Sequence, residues 1–225
     1  MKVSVVIPAK NESKNLPELL SRIRLVARRC KEIDEIIVAD NNSTDRTPYI
    51  ARKFGCRVVC EKRPGKGSAL RAGFSAAKND YIVMLDADLS HIPEDIPKMI
   101  ALLKDPKVGL VQASRSLGGS EEYSFVRAIG NISLTAFANF MLGARMTDAL
   151  NGFKAMRKEM TAGLSCSAFD IEIEILTNCL RLGYKVTEVP SQEKARANGT
   201  SNLGALKDGW RFARQIMKDS VRMKL

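Results

Sequence analysis

Hydrophobic and polar positions follow one another along the chain in blocks that predict strands and helices in turn. Residues 3–7 are an apolar run that Pro8 ends, and apolar residues then recur at helical spacing from 16 to 26. The succession returns with a strand at 35–39 and a helix at 48–54. Because strands that alternate with helices form parallel sheets, the pattern predicts an α/β fold with a mainly parallel central sheet flanked by helices.

The alternation continues to residue 113 and then changes. We expect strands at 57–60, 81–85 and 108–112, and helices from about 68 and over 93–103. After a loop with Arg115, we expect a long helix at 124–142, a short strand at 153–156, a helix at 169–182 and a strand at 184–189. No linker separates the two parts. The sequence therefore predicts one domain, 1–225, with a nucleotide-binding half (1–113) and an acceptor-binding half (114–225).

Two acids follow the most apolar strand. Residues 81–85 have the composition of a strand buried on both faces, and Asp86 and Asp88 come directly after it. Carboxyl ends of strands are where ligands bind in open α/β sheets. Two carboxylates there suit Mg²⁺ or Mn²⁺, which take oxygen ligands from protein and substrate phosphates. The alternative interpretation is a solvated acidic turn.

Composition indicates a globular domain in a reducing compartment. The 225 residues are 45% hydrophobic and 27% charged, and the five cysteines form no C-x-x-C pair, which argues against a disulfide framework or a zinc site. The N-terminus lacks the features of a signal peptide. The longest apolar stretch, 132–144, is shorter than the ~18–20 residues that span a bilayer. We therefore expect a cytoplasmic protein with no membrane-spanning segment.

The net charge of +11 is concentrated near the C-terminus. Residues 194–225 carry eight basic side chains against Asp208 and Asp219, a net charge of +6. Such a segment suits an anionic partner: a nucleic acid, a membrane leaflet or a phosphorylated substrate.

A glycine-rich basic segment, RPGKGSALRAGF (63–74), resembles two phosphate-binding motifs and matches neither. Cys60 and Gly67 depart from the P-loop pattern, and Leu70 replaces the last glycine of G-x-G-x-x-G. The segment is then a flexible turn with a free Lys66, which is either solvated or in contact with a phosphate.

Six motifs in order identify a family resemblance. VSVVIPAKNE, IIVADNNSTDRT, GKGSALRAGF, LDADLSH, DALNGFKAMRKE and GYKVTEVP with RANGTSNLG together resemble the inverting family 2 glycosyltransferases of the GT-A fold. Within that family the chain is most similar to dolichol-phosphate mannose and glucose synthases. The resemblance implies a metal-dependent glycosyltransferase that moves a hexose from a GDP- or UDP-hexose to a polyprenyl or dolichyl phosphate with inversion.

The resemblance also assigns roles to residues. The donor nucleotide sugar would contact Pro8, Ala9, Asn11, Glu12, Asp40, Ser43, Lys66, Asp86, Ala87 and Asp88. The metal would be held by Asp86, Asp88 and Ser90, the last at a position where the synthases often have Gln. The acceptor phosphate would be bound by Arg115, Arg127, Asn131 and Arg196. Catalysis itself would depend on Asp86, Asp88, Arg115 and Arg196. Asn41 and Asn42 stand where the usual turn has Asp and Gly.

A phosphate acceptor explains why no catalytic base is evident. A lipid monophosphate is already ionised near pH 7, whereas a hydroxyl acceptor needs a general base. The only histidine, His91, is interpreted as a turn residue. One alternative is a family member with a saccharide or protein hydroxyl as acceptor, for which Asp148 and Asp170 are the candidate bases. The other is a non-catalytic nucleotide-sugar or nucleic-acid binder. The paired acids and the scarcity of aromatics on the basic segments argue against nucleic acid.

The C-terminal segment is predicted to be an amphipathic helix. From Leu206 its apolar positions are Trp210, Ala213, Met217 and Val221, with Phe212 and Ile216 alongside, and cations occupy other faces. Such a helix either packs on the domain or lies on a membrane. We expect peripheral attachment to the cytosolic face of a membrane, with a membrane-spanning partner subunit as a further candidate partner.

Overall fold

A seven-stranded sheet forms the centre of the computed structural model, which describes residues 1–121, 125–198 and 204–223. The strands are β1 (Val3–Ala9), β2 (Ile33–Asp40), β3 (Arg57–Cys60), β4 (Tyr81–Met84), β5 (Val108–Ser114), β6 (Lys154–Arg157) and β7 (Lys185–Pro190). Their order is β3-β2-β1-β4-β6-β5-β7, and β6 alone runs antiparallel to both of its neighbours. The predicted α/β fold with a mainly parallel sheet is confirmed.

Helices cover both faces of this sheet. They are α1 (Leu16–Arg29), α2 (Thr47–Lys53), α3 (Lys66–Ala76), α4 (Ile96–Leu102), α5 (Arg115–Gly118), α6 (Phe125–Leu142), α7 (Ile171–Arg181) and α8 (Ala205–Arg222), with 3-10 turns at Pro93–Asp95 and Lys158–Thr161. Buried side chains of α1, α2 and α4 form the core on one face. Those of α3, α6, α7 and α8 form the core on the other.

The alternation within β1 shows how the sequence divides these two cores. Val5 and Ile7 point into the core beneath α1, whereas Val6, between them, points into the core beneath α3. A strand buried on both faces requires apolar residues at consecutive positions, because successive side chains point to opposite faces. In β4 the same holds for Ile82, Val83 and Met84, all of which are buried.

The structure departs from the sequence-based prediction in a few places. The predicted loop at Arg115 is wrong, because Arg115 begins the short helix α5, whose first turn is capped by the side chain of Ser114 accepting a hydrogen bond from the Leu117 amide at 3.3 Å. The predicted helix over 93–103 begins with a 3-10 turn. The predicted start of α6 at Ser124 and the segment 199–203 lie outside the described residues. All five cysteines are free thiols, as expected.

Among the described helices, none combines the length and the hydrophobicity that a membrane crossing requires. The feature that positions the site is the edge of the sheet where β1, β2, β4 and β5 end. Because β6 runs the opposite way, its first residue, Lys154, lies at this same edge, opposite Met84 of β4 and Gln112 of β5.

Candidate active site

A cavity of about 970 Å³ opens at the carboxyl edge of the sheet. Most of the residues to which the sequence assigned a role line it: Pro8, Ala9, Asn11, Glu12, Lys66, Asp86, Ala87, Asp88, Ser90, Arg115, Arg127, Asn131 and Arg196. Asp40 and Ser43 are not among the lining residues, although their neighbour Asn41 is. The two halves of the chain therefore contribute to one cavity.

The turn after β4 holds the acid pair in a strained conformation. Leu89 has a positive φ of 68°, which is unfavourable for a residue with a branched side chain of this size. Ser90 faces back towards Asp88 and donates two hydrogen bonds to its Oδ1, from the amide at 3.0 Å and from the hydroxyl at 2.6 Å. Ser90 thus orients Asp88, and its hydroxyl lies beside the carboxylate that was predicted to hold a metal.

Each acid of the pair has a basic partner. Lys66 Nζ lies 2.7 Å from Asp86 Oδ1, and Arg196 Nη2 lies 2.7 Å from Asp88 Oδ2. His91, predicted to be a turn residue, is buried against Phe153 with its Nε2 3.8 Å from Asp86 Oδ2. Burial by itself raises the pKa of Asp86, but Lys66 and His91 outweigh it and hold the pKa far below its usual value.

This donor set fits a hard divalent cation that is shared with a substrate. Asp86 is kept ionised, and Asp88 and Ser90, which are hydrogen-bonded to each other, line the same cavity. Among the described residues no group of three or more acidic, histidine or cysteine side chains could hold a metal on its own. Mg²⁺ needs only one or two carboxylates when phosphate oxygens complete its coordination. The residues therefore fit a metal that binds together with a diphosphate.

Lys66 is not the free side chain that the sequence predicted. Only 11% of it is exposed, and its Nζ binds Glu172 Oε1 at 2.9 Å as well as Asp86. A Cβ at Gly152 would lie 2.8 Å from Asp86 Oδ2 and 2.9 Å from Lys66 Nζ, so only glycine leaves room for this pair. Gly65, with a φ of 118°, brings the start of α3 against the carbonyl of Ser167. The loops thus pack Lys66 into the wall of the cavity.

The predicted nucleotide side is built from interlocked turns. Asn11 and Asn42 have positive φ values of 57° and 56°, which asparagine tolerates better than most residues. The main-chain amide of Asn11 donates to Ser43 Oγ at 2.9 Å, and the main-chain amide of Ser43 donates to Asp40 Oδ2 at 3.3 Å. The other carboxylate oxygen of Asp40 is buried and accepts no hydrogen bond from the described residues. Glu12 lies nearer the acids, and burial raises its pKa.

Asp148 lies behind the opposite wall of the cavity, which Arg115 and Asn131 line. It is fully buried and receives hydrogen bonds from the Arg115 Nε at 2.6 Å, the Arg115 Nη2 at 2.8 Å and the Asn131 Nδ2 at 3.1 Å. Burial alone raises the pKa of Asp148, but the bonds and charge of Arg115 outweigh burial and lower it. Glu188 accepts from the Asp148 amide at 3.0 Å and fixes this segment from β7. Asp148 therefore orients two of the residues predicted to bind the acceptor phosphate.

The segment 194–198 is hydrogen-bonded to the first half of the chain, and its Arg196 and Asn198 line the cavity. Its backbone donates from Lys194 to the Ser90 carbonyl at 2.9 Å, and Asn198 Nδ2 donates to Asn15 Oδ1 at 2.8 Å. These contacts place Arg196 against Asp88. Arg127 is exposed on α6 and lines the cavity, whereas neither candidate base, Asp148 or Asp170, is among the lining residues.

Sequence reasoning missed Glu172 and Gly152 and did not recognise Asp148 as an orienting residue. Gly152 and Asp148 lie within the DALNGFKAMRKE motif, so its acid and its glycine were a signal. The sequence around Glu172 gave no such signal, because acidic residues are common in the first turn of a helix, where they interact favourably with the helix dipole.

Comparisons with known proteins identify the family of the chain. The model of the family described as glycosyl transferase family 2 matches residues 4–164. The dolichol-phosphate mannosyltransferase of Pyrococcus furiosus is 36% identical over 220 residues, covering 90% of this chain and 59% of that protein. The dolichyl-phosphate hexose transferase of Haloferax volcanii is 29% identical over 224 residues, with 99% and 96% covered. The chain thus spans less than two thirds of the first relative and nearly all of the second.

A solved structure with a similar fold is glucosyl-3-phosphoglycerate synthase from Mycobacterium tuberculosis in complex with Mn²⁺, uridine diphosphate and glucosyl-3-phosphoglycerate. It superimposes with a TM-score of 0.74 at 26% sequence identity, covering 99% of this chain and 79% of that one.

Proposed function

Because the chain belongs to glycosyl transferase family 2 and has the GT-A fold, we propose that this glycosyltransferase moves a hexose from a GDP- or UDP-hexose to a polyprenyl or dolichyl phosphate. The observation that carries the proposal is the placement of Arg115 and Asn131, held by Asp148, across one cavity from Asp86 and Asp88. Relatives named for dolichyl-phosphate transfer support the choice of acceptor.

The donor binds in the first half, residues 1–113, in this proposal. Pro8, Ala9, Asn11 and Glu12 line the cavity beside the acid turn, and Asp40 and Ser43 support the turn of Asn11 from behind through hydrogen bonds. Asp86, Asp88 and Ser90 would hold Mg²⁺ or Mn²⁺, whose remaining ligands would come from the donor phosphates. Charge that develops on the departing nucleoside diphosphate is neutralised by this ion when it is bound. A uridine diphosphate complex with Mn²⁺ in the mycobacterial synthase supports this assignment.

The acceptor phosphate binds in the second half, residues 114–225. The guanidinium of Arg115 is planar and suits a phosphate, and Asp148 fixes its orientation through two hydrogen bonds. A phosphate oxygen then forms a bond to the anomeric carbon while the bond from that carbon to the diphosphate breaks, and the electron pair leaves with the diphosphate. Attack from the opposite face inverts the anomeric centre. No proton transfer is needed, because the phosphate is already ionised.

A hydroxyl acceptor fits the cavity less well. Its reaction needs a base, and the carboxylate of Asp148 is bound to Arg115 and has a lowered pKa. A carboxylate held this way is a weak proton acceptor.

We propose further that the protein attaches peripherally to the cytosolic face of a membrane, where a polyprenyl phosphate is embedded. Phe212 and Ile216 of α8 are buried against the domain, whereas Trp210, Met217 and Val221 are exposed on the same helix. The side chains of Leu206 and Lys207 lie outside the described residues. In this proposal one face of α8 packs on the domain and the opposite face lies on the membrane.

The experiment that tests the function is a panel of GDP- and UDP-hexoses incubated with a short polyprenyl phosphate and Mn²⁺ or Mg²⁺, with mass detection of the lipid product. A hexosyl polyprenyl phosphate is expected with one donor. Asp88→Asn is the matched control, for which we expect a loss of more than ~10²-fold because charge stabilisation at the leaving group is removed. Product with 3-phosphoglycerate or a free sugar and none with polyprenyl phosphate would overturn the proposed acceptor.

A further inference from the structure

Lys154 is the largest charged side chain sealed inside the protein, and the proposed reaction does not use it. It is the first residue of β6, in the middle of the sheet, and none of its side chain is exposed. A buried ammonium is costly unless other groups compensate its charge. Burial lowers the pKa of Lys154 from its usual value to about 8, although the carboxylates of Glu172 and Asp148 act to raise it. Its burial at the edge of the sheet where the cavity opens calls for a reason other than stability.

The hydrogen bonds of Lys154 connect it to Gln112 and, through Gln112, to Asp148. Its Nζ donates a hydrogen bond to the side-chain oxygen of Gln112, which lies directly opposite on β5 and is also fully buried. Because that oxygen is occupied, the amide nitrogen of Gln112 must point the other way, and it donates to the main-chain carbonyl of Asp148. Lys154 therefore decides how the Gln112 amide is oriented and, through it, where the backbone of Asp148 lies.

The carboxylate of Asp148 in turn holds two residues that line the cavity, Arg115 and Asn131. Its Oδ2 accepts from Arg115 Nε at 2.6 Å and from the Arg115 amide at 3.0 Å, and its Oδ1 accepts from Asn131 Nδ2 at 3.1 Å. A shift of the Asp148 backbone would move both partners. Lys154, Gln112 and Asp148, which connect in this order to Arg115, are all fully buried. Solvent water therefore does not compete for the hydrogen bonds among them.

We propose that Lys154 is a positioning residue for the acceptor phosphate, acting through Gln112 and Asp148 on Arg115 and Asn131. The proposal rests on the proposed function, since it concerns the phosphate that those two residues bind. It assigns to Lys154 no contact with the donor and no contact with the reacting atoms.

The test compares the unchanged protein with Lys154→Met, which keeps most of the length and removes the ammonium. We expect the KM for a short polyprenyl phosphate to rise roughly tenfold, as for other groups that orient a ligand-binding side chain, while the KM for the nucleotide sugar stays within about twofold. Calorimetric titration with the same polyprenyl phosphate gives a second readout that does not require turnover. Met156→Leu is the matched control: it changes a buried residue of the same strand and face that has no polar contact.

A double-mutant cycle separates positioning from a merely structural role. Gln112→Leu removes the donor to the Asp148 carbonyl, so positioning through Gln112 predicts that it raises the acceptor KM as Lys154→Met does, and that the double variant is no worse than either single variant. If Lys154 only supports folding, Lys154→Met lowers the melting temperature while the acceptor KM stays within about twofold of that of the unchanged protein, which would overturn the proposal. Additive effects of the two changes on the acceptor KM would overturn it as well.

The remaining outcomes distinguish this inference from the proposed function. Transfer by the unchanged protein with a normal acceptor KM in Lys154→Met rejects the inference and leaves the function standing. Absence of transfer with phosphate binding that Lys154→Met weakens rejects the function and supports the inference. If the unchanged protein neither transfers to nor binds polyprenyl phosphate, both are rejected.

Discussion

The guanidinium of Arg196 lies 2.7 Å from the carboxylate of Asp88, so a residue predicted to bind the acceptor is paired with an acid predicted to hold the metal. The segment that carries Arg196 is hydrogen-bonded to the acid turn, from the Lys194 amide to the Ser90 carbonyl at 2.9 Å. An ion pair of this kind must be exchanged when a divalent cation binds Asp88. In the proposed function, Arg196 therefore links donor binding to acceptor binding electrostatically.

Arg196→Ala tests this link. Removal of the guanidinium leaves Asp88 with one opposing charge fewer, so we expect Mn²⁺ with nucleoside diphosphate to bind several-fold more tightly, corresponding to about 1 kcal/mol. Turnover is expected to fall, because a cation is lost from the acceptor side. Calorimetry measures the first effect and steady-state kinetics the second. An unchanged affinity for Mn²⁺ and nucleotide would mean that the pair with Asp88 has no energetic weight.

Arg115→Ala is expected to act on the acceptor alone. It should raise the KM for polyprenyl phosphate without changing nucleotide affinity, because Arg115 contacts Asp148 and Glu193 and neither acid of the turn. It should also cost about 3 kcal/mol of stability, since the buried Asp148 loses its cation. Arg115→Lys is the control: the charge remains and most of the stability with it, but the bidentate geometry is lost and the KM stays high. Equal loss of nucleotide binding would contradict the division between the halves.

The sheet could be predicted from the sequence because its strands are encoded locally. Apolar residues at consecutive positions in β1 and β4 allow only a strand buried on both faces, and the acids that follow β4 must then lie at the carboxyl edge. The burial and ion pairing of Lys66 could not be predicted, because its partners Asp86 and Glu172 lie 20 and 106 residues away in the sequence. The glycine-rich turn around Lys66 is also fixed by residues distant in sequence, since Gly65 lies against the Ser167 carbonyl and its amide donates to Asn41 Oδ1 at 2.8 Å.

The same limit applies to Asp148. As an isolated acid it is a reasonable candidate for a base, and the sequence offered no reason to pair it with Arg115, 33 residues earlier. Only the antiparallel insertion of β6 between β4 and β5 brings the segment before it against the start of α5.

Gly152→Ala is expected to impair transfer more than stability. The added Cβ would lie within 2.9 Å of both Asp86 Oδ2 and Lys66 Nζ, and these flexible side-chain ends can move apart without disturbing the backbone. We expect roughly a tenfold or greater loss of turnover, because the acid would be displaced from the metal, with a small change in melting temperature. Activity and thermal unfolding should be measured on the same preparation. An equal loss of stability would indicate that the glycine serves folding.

Lys154 predicts a pH dependence of stability. Its pKa is lowered from 10.5 to about 8 in the folded protein, so above pH 8 the folded state releases a proton that the unfolded state still binds. The unfolding free energy from this group therefore rises with pH between about 8 and 10.5, by up to ~1.4 kcal/mol per pH unit. Lys154→Met removes that contribution. Denaturant unfolding of both proteins at pH 7, 8, 9 and 9.5 should show the unchanged protein gaining stability relative to the variant. A constant difference would contradict the lowered pKa.

The exposed face of α8 provides the last prediction. Trp210 and Val221 are 67% and 61% exposed and lie eleven residues apart, on the same side of the helix, while Phe212 and Ile216 anchor the opposite side. Arg214 and Lys218 flank this stripe and form no ion pair with another described residue. Exposed apolar side chains beside unpaired cations suit the headgroup region of an anionic leaflet.

We therefore expect the protein to pellet with anionic vesicles at low salt, and less with neutral vesicles or at high salt, where charges are screened. Arg214→Gln with Lys218→Gln should weaken vesicle binding roughly 30-fold, since each cation contributes about 1 kcal/mol near an anionic surface. The matched control is Arg28→Gln with Arg29→Gln, which removes the same charge from the end of α1, where both side chains are also exposed. If the two double variants weaken vesicle binding equally, the attraction depends on the net charge of the protein and not on the face of α8. Failure of the unchanged protein to pellet with anionic vesicles at low salt would leave α8 as a helix that only packs on the domain.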